Sequence, residues 1–182
     1  RKPHRSERII YLSDRNMMIM KNELTQRNPL QLLGLDTELW REEGGFGAVA
    51  APAGVGKTHL ATAICHDAIL KGYQTVFVPL FDLTAKLSKA KSLYSLIDFY
   101  AKVPILCLAE LGYVLPTKEQ GDALFQIISK RNEILPTIVT TNLAPKEWGS
   151  IFSATAASAI LDRLSFNGRF ITFEGRSYRR KR

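Results

Sequence analysis

Residues 51–58 combine the residue types that bind phosphate groups. They read APAGVGKT and fit the phosphate-loop pattern G-x-x-x-x-G-K-[ST], with Ala51 in place of the leading glycine. Glycines here let the backbone wrap so that successive N–H groups point at phosphate oxygens. The lysine reaches the β- and γ-phosphates, and the threonine hydroxyl is a ligand for Mg²⁺. We therefore predict a nucleoside triphosphate site formed by Ala51, Pro52, Ala53, Gly54, Val55, Gly56, Lys57, Thr58 and His59.

A second candidate site follows an apolar stretch over residues 105–108, which leads into Ala109 and Glu110. In phosphate-loop NTPases a second strand ends in an Asp that holds Mg²⁺, and in one large group a Glu follows and polarises the attacking water. Glu110 fits the second role, or is a solvated carboxylate at a strand end. Ala109 cannot accept hydrogen bonds from metal-bound water, so Mg²⁺ would be held by Thr58, the phosphates and Glu110. We expect nucleotide binding with slow hydrolysis, because electrostatic stabilisation is usually the largest catalytic contribution.

Two further polar residues follow or interrupt apolar segments. Asn142 comes directly after the apolar run 137–141, where its amide can lie between the γ-phosphate and the attacking water. The alternative is a turn or helix cap, since Pro145 soon opens a helix. Arg163 interrupts an apolar helical pattern. It can stabilise the transferred phosphate in a neighbouring protomer, or pair with an acid such as Asp162.

The elements that must position these residues alternate regularly. Short apolar runs typical of strands alternate with longer segments of helical spacing, which indicates a parallel sheet covered on both faces. We predict a three-layer α/β domain with a five-stranded parallel sheet. The predicted strands are 48–51, 75–80, 105–108, 137–141 and 170–173, and the predicted helices are 58–70, 82–100, 118–132 and 155–164.

Composition excludes several classes of protein. The 182 residues are 46% hydrophobic and 23% charged, as in ordinary soluble domains. No run approaches the ~20 apolar residues that a membrane span needs, and no secretory signal is recognisable. Cys65 and Cys107 lie in apolar segments without metal-ligand spacing, so we expect buried thiols in a reducing compartment, the cytoplasm.

The net charge of +8 is concentrated at the two ends of the chain. Residues 1–30 carry seven basic and three acidic side chains, and residues 162–182 carry seven basic and two acidic ones. Such ends favour a polyanionic partner, because phosphate contacts release counterions; the alternative is a pair of solubilising tails. We expect residues 1–40 to form a basic arm with a short amphipathic helix near residues 13–24, and residues 41–182 to form the domain. The chain starts with Arg rather than Met, which is compatible with a missing N-terminal segment.

Several phrases together resemble one family. The chain is similar to the AAA+ ATPases of the IstB type, which assist bacterial insertion sequences, and to the related DnaC-type helicase loaders. The phrases are PAGVGKTHLATAI (52–64), LAELGYVLPTKEQGDALFQIISKR (108–131), TIVTTNLAPKEWGSIF (137–152), ILDRL (160–164) and EGRSYR (174–179).

The resemblance implies ATP with Mg²⁺ as cofactor and a sheet of strand order 5-1-4-3-2, with a helical lid that is reduced or absent here. It also implies a homo-oligomer with ATP at subunit interfaces, bound to double-stranded DNA with little sequence preference. The partner would be a transposase or a replicative helicase. Residue by residue, Lys57 and Thr58 match the phosphate-loop pair, Glu110 the catalytic glutamate, Asn142 the first sensor and Arg163 the finger acting in trans. Arg176 or Arg179 is a weaker match for a second sensor.

The helical segment after the second strand carries three lysines, Lys86, Lys89 and Lys91. In this clade an extra helix at that place approaches DNA, and lysines beside an apolar face suit phosphate contact without base reading. A solvated helix face is the alternative.

These observations lead to a primary functional hypothesis and two alternatives. The first is an ATP-dependent helper of transposition that assembles on DNA. A DnaC-like helicase loader is the second, and a degenerate nucleotide-binding scaffold without hydrolysis, favoured by Ala109, is the third. A small-molecule kinase with the same loop does not account for the basic ends.

Overall fold

A computed structural model describes residues 9–12, 46–50, 54–132, 134–173 and 177. The expected helix near residues 13–24, the loop residues Ala51, Pro52 and Ala53, and both second-sensor candidates lie outside this part of the chain. The described elements are β1 (Ile9–Leu12), β2 (Phe46–Ala50), α1 (Lys57–Leu70), β3 (Thr75–Pro79), α2 (Leu80–Lys89), α3 (Leu93–Lys102), β4 (Ile105–Leu111), α4 (Lys118–Arg131), β5 (Thr137–Thr141), a 3₁₀ helix (Pro145–Ser150), α5 (Ala154–Asn167) and β6 (Gly168–Phe173).

The described strands form one parallel sheet in the order β1-β6-β2-β5-β4-β3. The central strand β2 pairs with β5 on one side and with β6 on the other, with Ala50 opposite Thr141 and Thr172. The carboxyl ends of β2, β5 and β4 therefore meet at one edge of the sheet. This is the edge where open α/β sheets bind their ligands.

Each face of the sheet carries its own hydrophobic cluster. On one face α1 packs on Ile105, Cys107, Ile138 and Ile171. On the other, α2 to α5 and the 3₁₀ helix pack on Leu106, Leu108 and Val139. Successive strand residues thus point to opposite clusters, as the pleat requires. The predicted layered α/β fold is confirmed.

The sheet has six strands rather than the predicted five. Ile9–Leu12 lies in a polar stretch without a sustained strand pattern, yet its backbone pairs with β6, with Ile9 opposite Phe170. This pairing joins residues about 160 positions apart, so it cannot be predicted from the local sequence.

The predicted helix over residues 82–100 is two helices. α2 ends at Lys89, and α3 begins after Ser92, whose hydroxyl accepts a hydrogen bond from the Ser95 backbone N–H at 3.2 Å. A serine cap offers the backbone an alternative to a continuous helix. Lys86 and Lys89 therefore lie on α2, whereas Lys91 lies between the two helices.

β4 is longer than predicted and ends at Leu111 instead of residue 108. Ala109 and Glu110 are thus part of the strand, not residues that follow it. The other predicted boundaries agree with the structure or differ from it by at most three residues, which is the ordinary uncertainty of element ends. Cys65 and Cys107 are buried free thiols, as expected. Within the described residues, no helix is long and apolar enough to cross a membrane.

Candidate nucleotide-binding site

The phosphate loop enters α1 through two glycines in the left-handed conformation. Gly54 has φ 85° and Gly56, the N-cap of the helix, has φ 109°. Residues with side chains rarely adopt this conformation, so glycine is required at both positions. No described side chain caps the helix, and its first turn holds no acidic residue. The helix N-terminus therefore presents backbone N–H groups and a partial positive charge, the arrangement that binds phosphate.

Lys57, Thr58 and His59, the last three residues of the predicted site, lie in the first turn of α1 and differ in their exposure to solvent. Lys57 begins the helix and its residue surface is only 6% exposed. Thr58 and His59 are exposed. The helix N-terminus carries a partial positive charge, and Lys57 lies in its first turn.

Ser177 packs directly against the loop. A Cβ on Gly54 would overlap the Ser177 hydroxyl and would lie 3.0 Å from the Ser177 Cβ. The close approach gives a second reason for glycine at position 54. The sequence marked the phrase that contains Ser177 but not this contact, because nothing local places a residue so distant in sequence on the loop.

Glu110 adopts an unusual backbone conformation at the carboxyl end of β4. Its φ is 63°, and no other described non-glycine residue has a positive φ. The β4–β5 pairing shifts register between Leu108 and Leu111. In place of a regular ladder, the Glu110 N–H donates to Thr140 Oγ1 at 3.0 Å and the Thr141 hydroxyl donates to the Leu111 carbonyl at 2.8 Å. The Glu110 residue is exposed.

Asn142 lies beside the segment that follows Glu110. Gly112 has φ 98°, and a Cβ there would lie 2.7 Å from Asn142 Oδ1. Asn142 is exposed. The alternative reading of Asn142 as the cap of the next helix is wrong, because the 3₁₀ helix starts at Pro145 and its N-cap position is Ala144.

The sheet thus brings most of the sequence-predicted residues to one edge. β5 lies between β2 and β4, and Thr141 pairs with Ala50 on one side and Leu111 on the other. The loop that follows β2, the acid of β4 and Asn142 after β5 all belong to this edge. Arg163 lies on α5; its side chain is outside the described part.

Ala109 is buried, with 1% of its surface exposed. Side chains alternate along β4, so Ala109 follows Ile105 and Cys107 on the face that α1 covers. An aspartate at this position would point to the phosphate-loop side of the sheet. Among the described residues, no three His, Cys, Asp or Glu side chains cluster as a metal site.

Two of the three lysines lie on α2, the helix that follows β3, and the third lies just after it. Lys86, Lys89 and Lys91 are exposed and line a groove of about 690 Å³ between α2 and α3, together with Asp82, Ser92, Ser95 and Phe99. The Lys86 ammonium group donates to the Tyr100 hydroxyl at 3.5 Å. The groove combines three cations, one acid and an exposed aromatic ring, a composition suited to a phosphate chain.

Comparison with known proteins identifies the family. The model of the IstB-like ATP-binding proteins matches residues 19–182. The chain belongs to this family. It is 40% identical over 134 residues to the ATP-binding protein of insertion sequence IS232 from Bacillus thuringiensis, covering 71% of this chain and 54% of that one. It is 34% identical over 160 residues to the IS21 ATP-binding protein of Pseudomonas aeruginosa, covering 81% and 60%.

The IstB-like chain therefore spans little more than half the length of the curated relatives that it matches. Among solved structures it resembles DnaI, with a TM-score of 0.68 and 21% identity over 97% of this chain and 100% of that one. The DnaC helicase loader gives a TM-score of 0.64 and 21% identity, over 88% and 89%. These likenesses place the chain in the AAA+ type of phosphate-loop α/β fold. Together with its family, they show an insertion-sequence ATP-binding protein related in fold to helicase loaders.

Proposed function

We propose that this protein binds ATP, assembles as an oligomer on double-stranded DNA and assists transposition by recruiting or stimulating a transposase. One observation carries the nucleotide part of the proposal. The two left-handed glycines and Lys57 open an uncapped helix at the same sheet edge as Glu110 and Asn142. Such an edge can bind a triphosphate and hold a carboxylate near its terminal phosphate.

The residues of the site take separate roles in this proposal. Lys57 binds the β- and γ-phosphates, and Thr58 holds Mg²⁺ with the phosphates. Glu110 polarises the attacking water, and Asn142 positions it. Arg163 contacts ATP in the neighbouring protomer. Turnover is slow, because the buried methyl group of Ala109 replaces the carboxylate that would support the metal.

The DNA part of the proposal rests on charge. The groove lysines Lys86, Lys89 and Lys91 contact phosphates without reading bases, which gives largely non-specific binding. We also propose that residues 1–40 form a basic arm and residues 41–182 an ATP-binding domain with a reduced or absent helical lid. The five strands predicted for this domain have the order 5-1-4-3-2, which the pairing of β2 with both β5 and β6 supports. We propose a cytoplasmic location.

Phosphate release with and without duplex DNA tests the nucleotide part. We expect slow turnover that DNA stimulates, loss of ATP binding in Lys57→Ala, and faster turnover in Ala109→Asp. Thr58→Ser, which keeps the hydroxyl, is the control and should retain turnover. ATP-dependent growth of the assembly on DNA, measured by light scattering, tests the oligomer.

Failure of each arm has a distinct meaning. Absent turnover in the original chain and in Ala109→Asp, with ATP binding retained, supports the scaffold alternative, which the buried Ala109 favours. Stimulation of a replicative helicase rather than a transposase supports the loader alternative, which the likeness in fold favours. A chain that does not bind ATP at all contradicts every version of the proposal.

Salt dependence tests the lysines. The logarithm of the DNA affinity should fall linearly with the logarithm of salt concentration, and each lysine replaced by Ala should reduce the slope by about 1. Lys118→Ala, on α4 and outside the groove, is a matched exposed control. An equal effect of the control and the groove variants would remove the groove from the proposed interface.

A further inference from the structure

The left-handed backbone conformation of Glu110 must be stabilised by contacts with other residues. A side chain makes this conformation unfavourable, and it persists only where the surrounding structure fixes it. It lies at the register shift between Leu108 and Leu111, where the β4–β5 ladder is interrupted. The contacts that replace the ladder therefore decide where the Glu110 carboxylate is presented.

Those contacts come from two neighbouring hydroxyls on β5. Thr140 Oγ1 accepts from the Glu110 N–H at 3.0 Å, and the Thr141 hydroxyl donates to the Leu111 carbonyl at 2.8 Å. Both threonines are buried, with 1% of their surface exposed. The Thr141 bond is buried and the Thr140 bond is partly buried, and burial makes such bonds stronger anchors than the same bonds at the surface.

The same strand end also fixes the residues around Asn142. Thr141 Oγ1 accepts from the Leu143 N–H at 3.0 Å. Gly112 has room for no side chain, because a Cβ there would lie 2.6 Å from Leu143 Cγ and 2.7 Å from Asn142 Oδ1. The positions of the Glu110 backbone and of the Asn142 side-chain amide therefore both depend on the carboxyl end of β5.

We propose that Thr140 is a positioning residue for Glu110: its hydroxyl holds the Glu110 backbone in the conformation that presents the carboxylate to the bound nucleotide. Thr141 connects that conformation to Asn142. The inference rests on the proposed role of Glu110 in ATP hydrolysis. Thr140 itself touches no substrate and acts only through the backbone N–H of Glu110.

Three variants separate positioning from general stability. Thr140→Val removes the hydroxyl at nearly constant volume, and Thr140→Ser keeps it. Thr137→Val makes the same change at the opposite end of β5, where the buried Thr137 hydroxyl accepts from Arg131 Nε at 2.9 Å, away from Glu110. Its effect measures what the loss of a buried strand hydroxyl does to the fold alone.

We expect Thr140→Val to lower kcat by about 10- to 100-fold, the size of effect that a misplaced catalytic group produces. The Kd for ATP should stay within about twofold, because the phosphate loop is untouched. Thr140→Ser should retain most of kcat, and Thr137→Val should lower Tm while leaving kcat unchanged. Equal losses of kcat in Thr140→Val and Thr137→Val, or an unchanged kcat in Thr140→Val, would overturn the inference.

Amide hydrogen exchange keeps this test separate from the proposed hydrolysis. In the nucleotide-free protein the Glu110 N–H should exchange faster in Thr140→Val than in the original chain, with no change in Thr137→Val. Absence of turnover in the original chain contradicts the proposed hydrolysis, and the exchange result then decides the inference. Undiminished protection of the Glu110 amide in Thr140→Val would overturn it.

Discussion

The two ends of β5 hold charged residues in opposite ways. At the amino end, Thr137 Oγ1 accepts a hydrogen bond from Arg131 Nε at 2.9 Å, and the Arg131 residue is 0% exposed. Its guanidinium also donates to four backbone carbonyls, those of Tyr100, Ala101, Val103 and Pro136. At the carboxyl end, Thr140 holds only the backbone of Glu110, whose residue is exposed.

The difference separates a structural use of charge from a functional one. Arg131 satisfies the last carbonyls of α3 and ties that helix to the start of β5, so its charge is used entirely within the fold. Glu110 has a strained backbone and an exposed side chain, which is typical of a site prepared for a ligand. Loss of the charged group should therefore reduce stability at the amino end of β5 and turnover at its carboxyl end.

The largest expected effect is the loss of stability in Arg131→Met. The variant removes the Arg131 donor from the buried carbonyls of Tyr100, Ala101 and Val103 and from the Thr137 hydroxyl, while the Pro136 carbonyl keeps the Leu106 N–H. The free energy of unfolding should therefore fall by about 3–5 kcal/mol. Urea unfolding measures it. Lys102→Met, at the exposed C-terminal end of α3, where Lys102 pairs with Asp98 at 2.7 Å, should cause no measurable change. A fall below about 1 kcal/mol in Arg131→Met would remove the proposed division between the two ends.

The next effect concerns the glycines. Gly112→Ala adds a left-handed strain and forces a Cβ against Asn142 and Leu143, so we expect about 2–4 kcal/mol of destabilisation together with slower turnover. Gly72→Ala is a matched control, because Gly72 has φ 85° and open space around it. It should lose about 1 kcal/mol, the backbone strain alone. Equal losses would show that the contact between positions 112 and 142 carries no energy.

Glu110→Gly should give a smaller change of the opposite sign. Glycine relieves the left-handed strain, so the free energy of unfolding should rise by about 1 kcal/mol while turnover is lost. Glu110→Gln loses turnover but keeps the strain, and its stability should match that of the original chain. A destabilised Glu110→Gly would mean that the backbone at this position is not strained.

The sequence predicts the layered fold because its signals are local. Strands buried on both faces read as continuous apolar runs, and the glycines of the phosphate loop are required by the turn that they make. The break at Ser92 and the strand β1 were missed. A serine cap competes only weakly with a helix pattern, and β1 gains its place through pairing with the distant β6.

The candidate site divides in the same way. Lys57, Glu110 and Asn142 are recognisable from motifs, and the structure brings their segments to one edge. The conformation of Glu110 is not recognisable, because Thr140 lies 30 residues away and anchors it through a single hydroxyl. Arg131 carries no motif either, since its partners are backbone carbonyls, which any sequence provides.

The smallest expected effect concerns pH: the loss of stability in Arg131→Met should not depend on pH near neutrality. Burial lowers the pKa of Arg131 to about 10, well below the ordinary value that it has in the unfolded chain. Between these values the unfolded state binds more protons, so this group makes stability rise with pH there; below about pH 9 both states are fully protonated and it contributes no slope. The difference in unfolding free energy between the original chain and Arg131→Met should therefore be constant from about pH 6 to 9.

Arg131→Lys sharpens this expectation, because a buried ammonium group loses its proton far more readily than a guanidinium group. Burial places the pKa of such a lysine below its unfolded value of about 10.4. The deficit in stability of Arg131→Lys should then shrink as pH rises toward 9, whereas that of Arg131→Met stays constant over the same range. Parallel curves for the two variants would mean that water reaches the amino end of β5, and that the two ends do not differ in the way their charges are held.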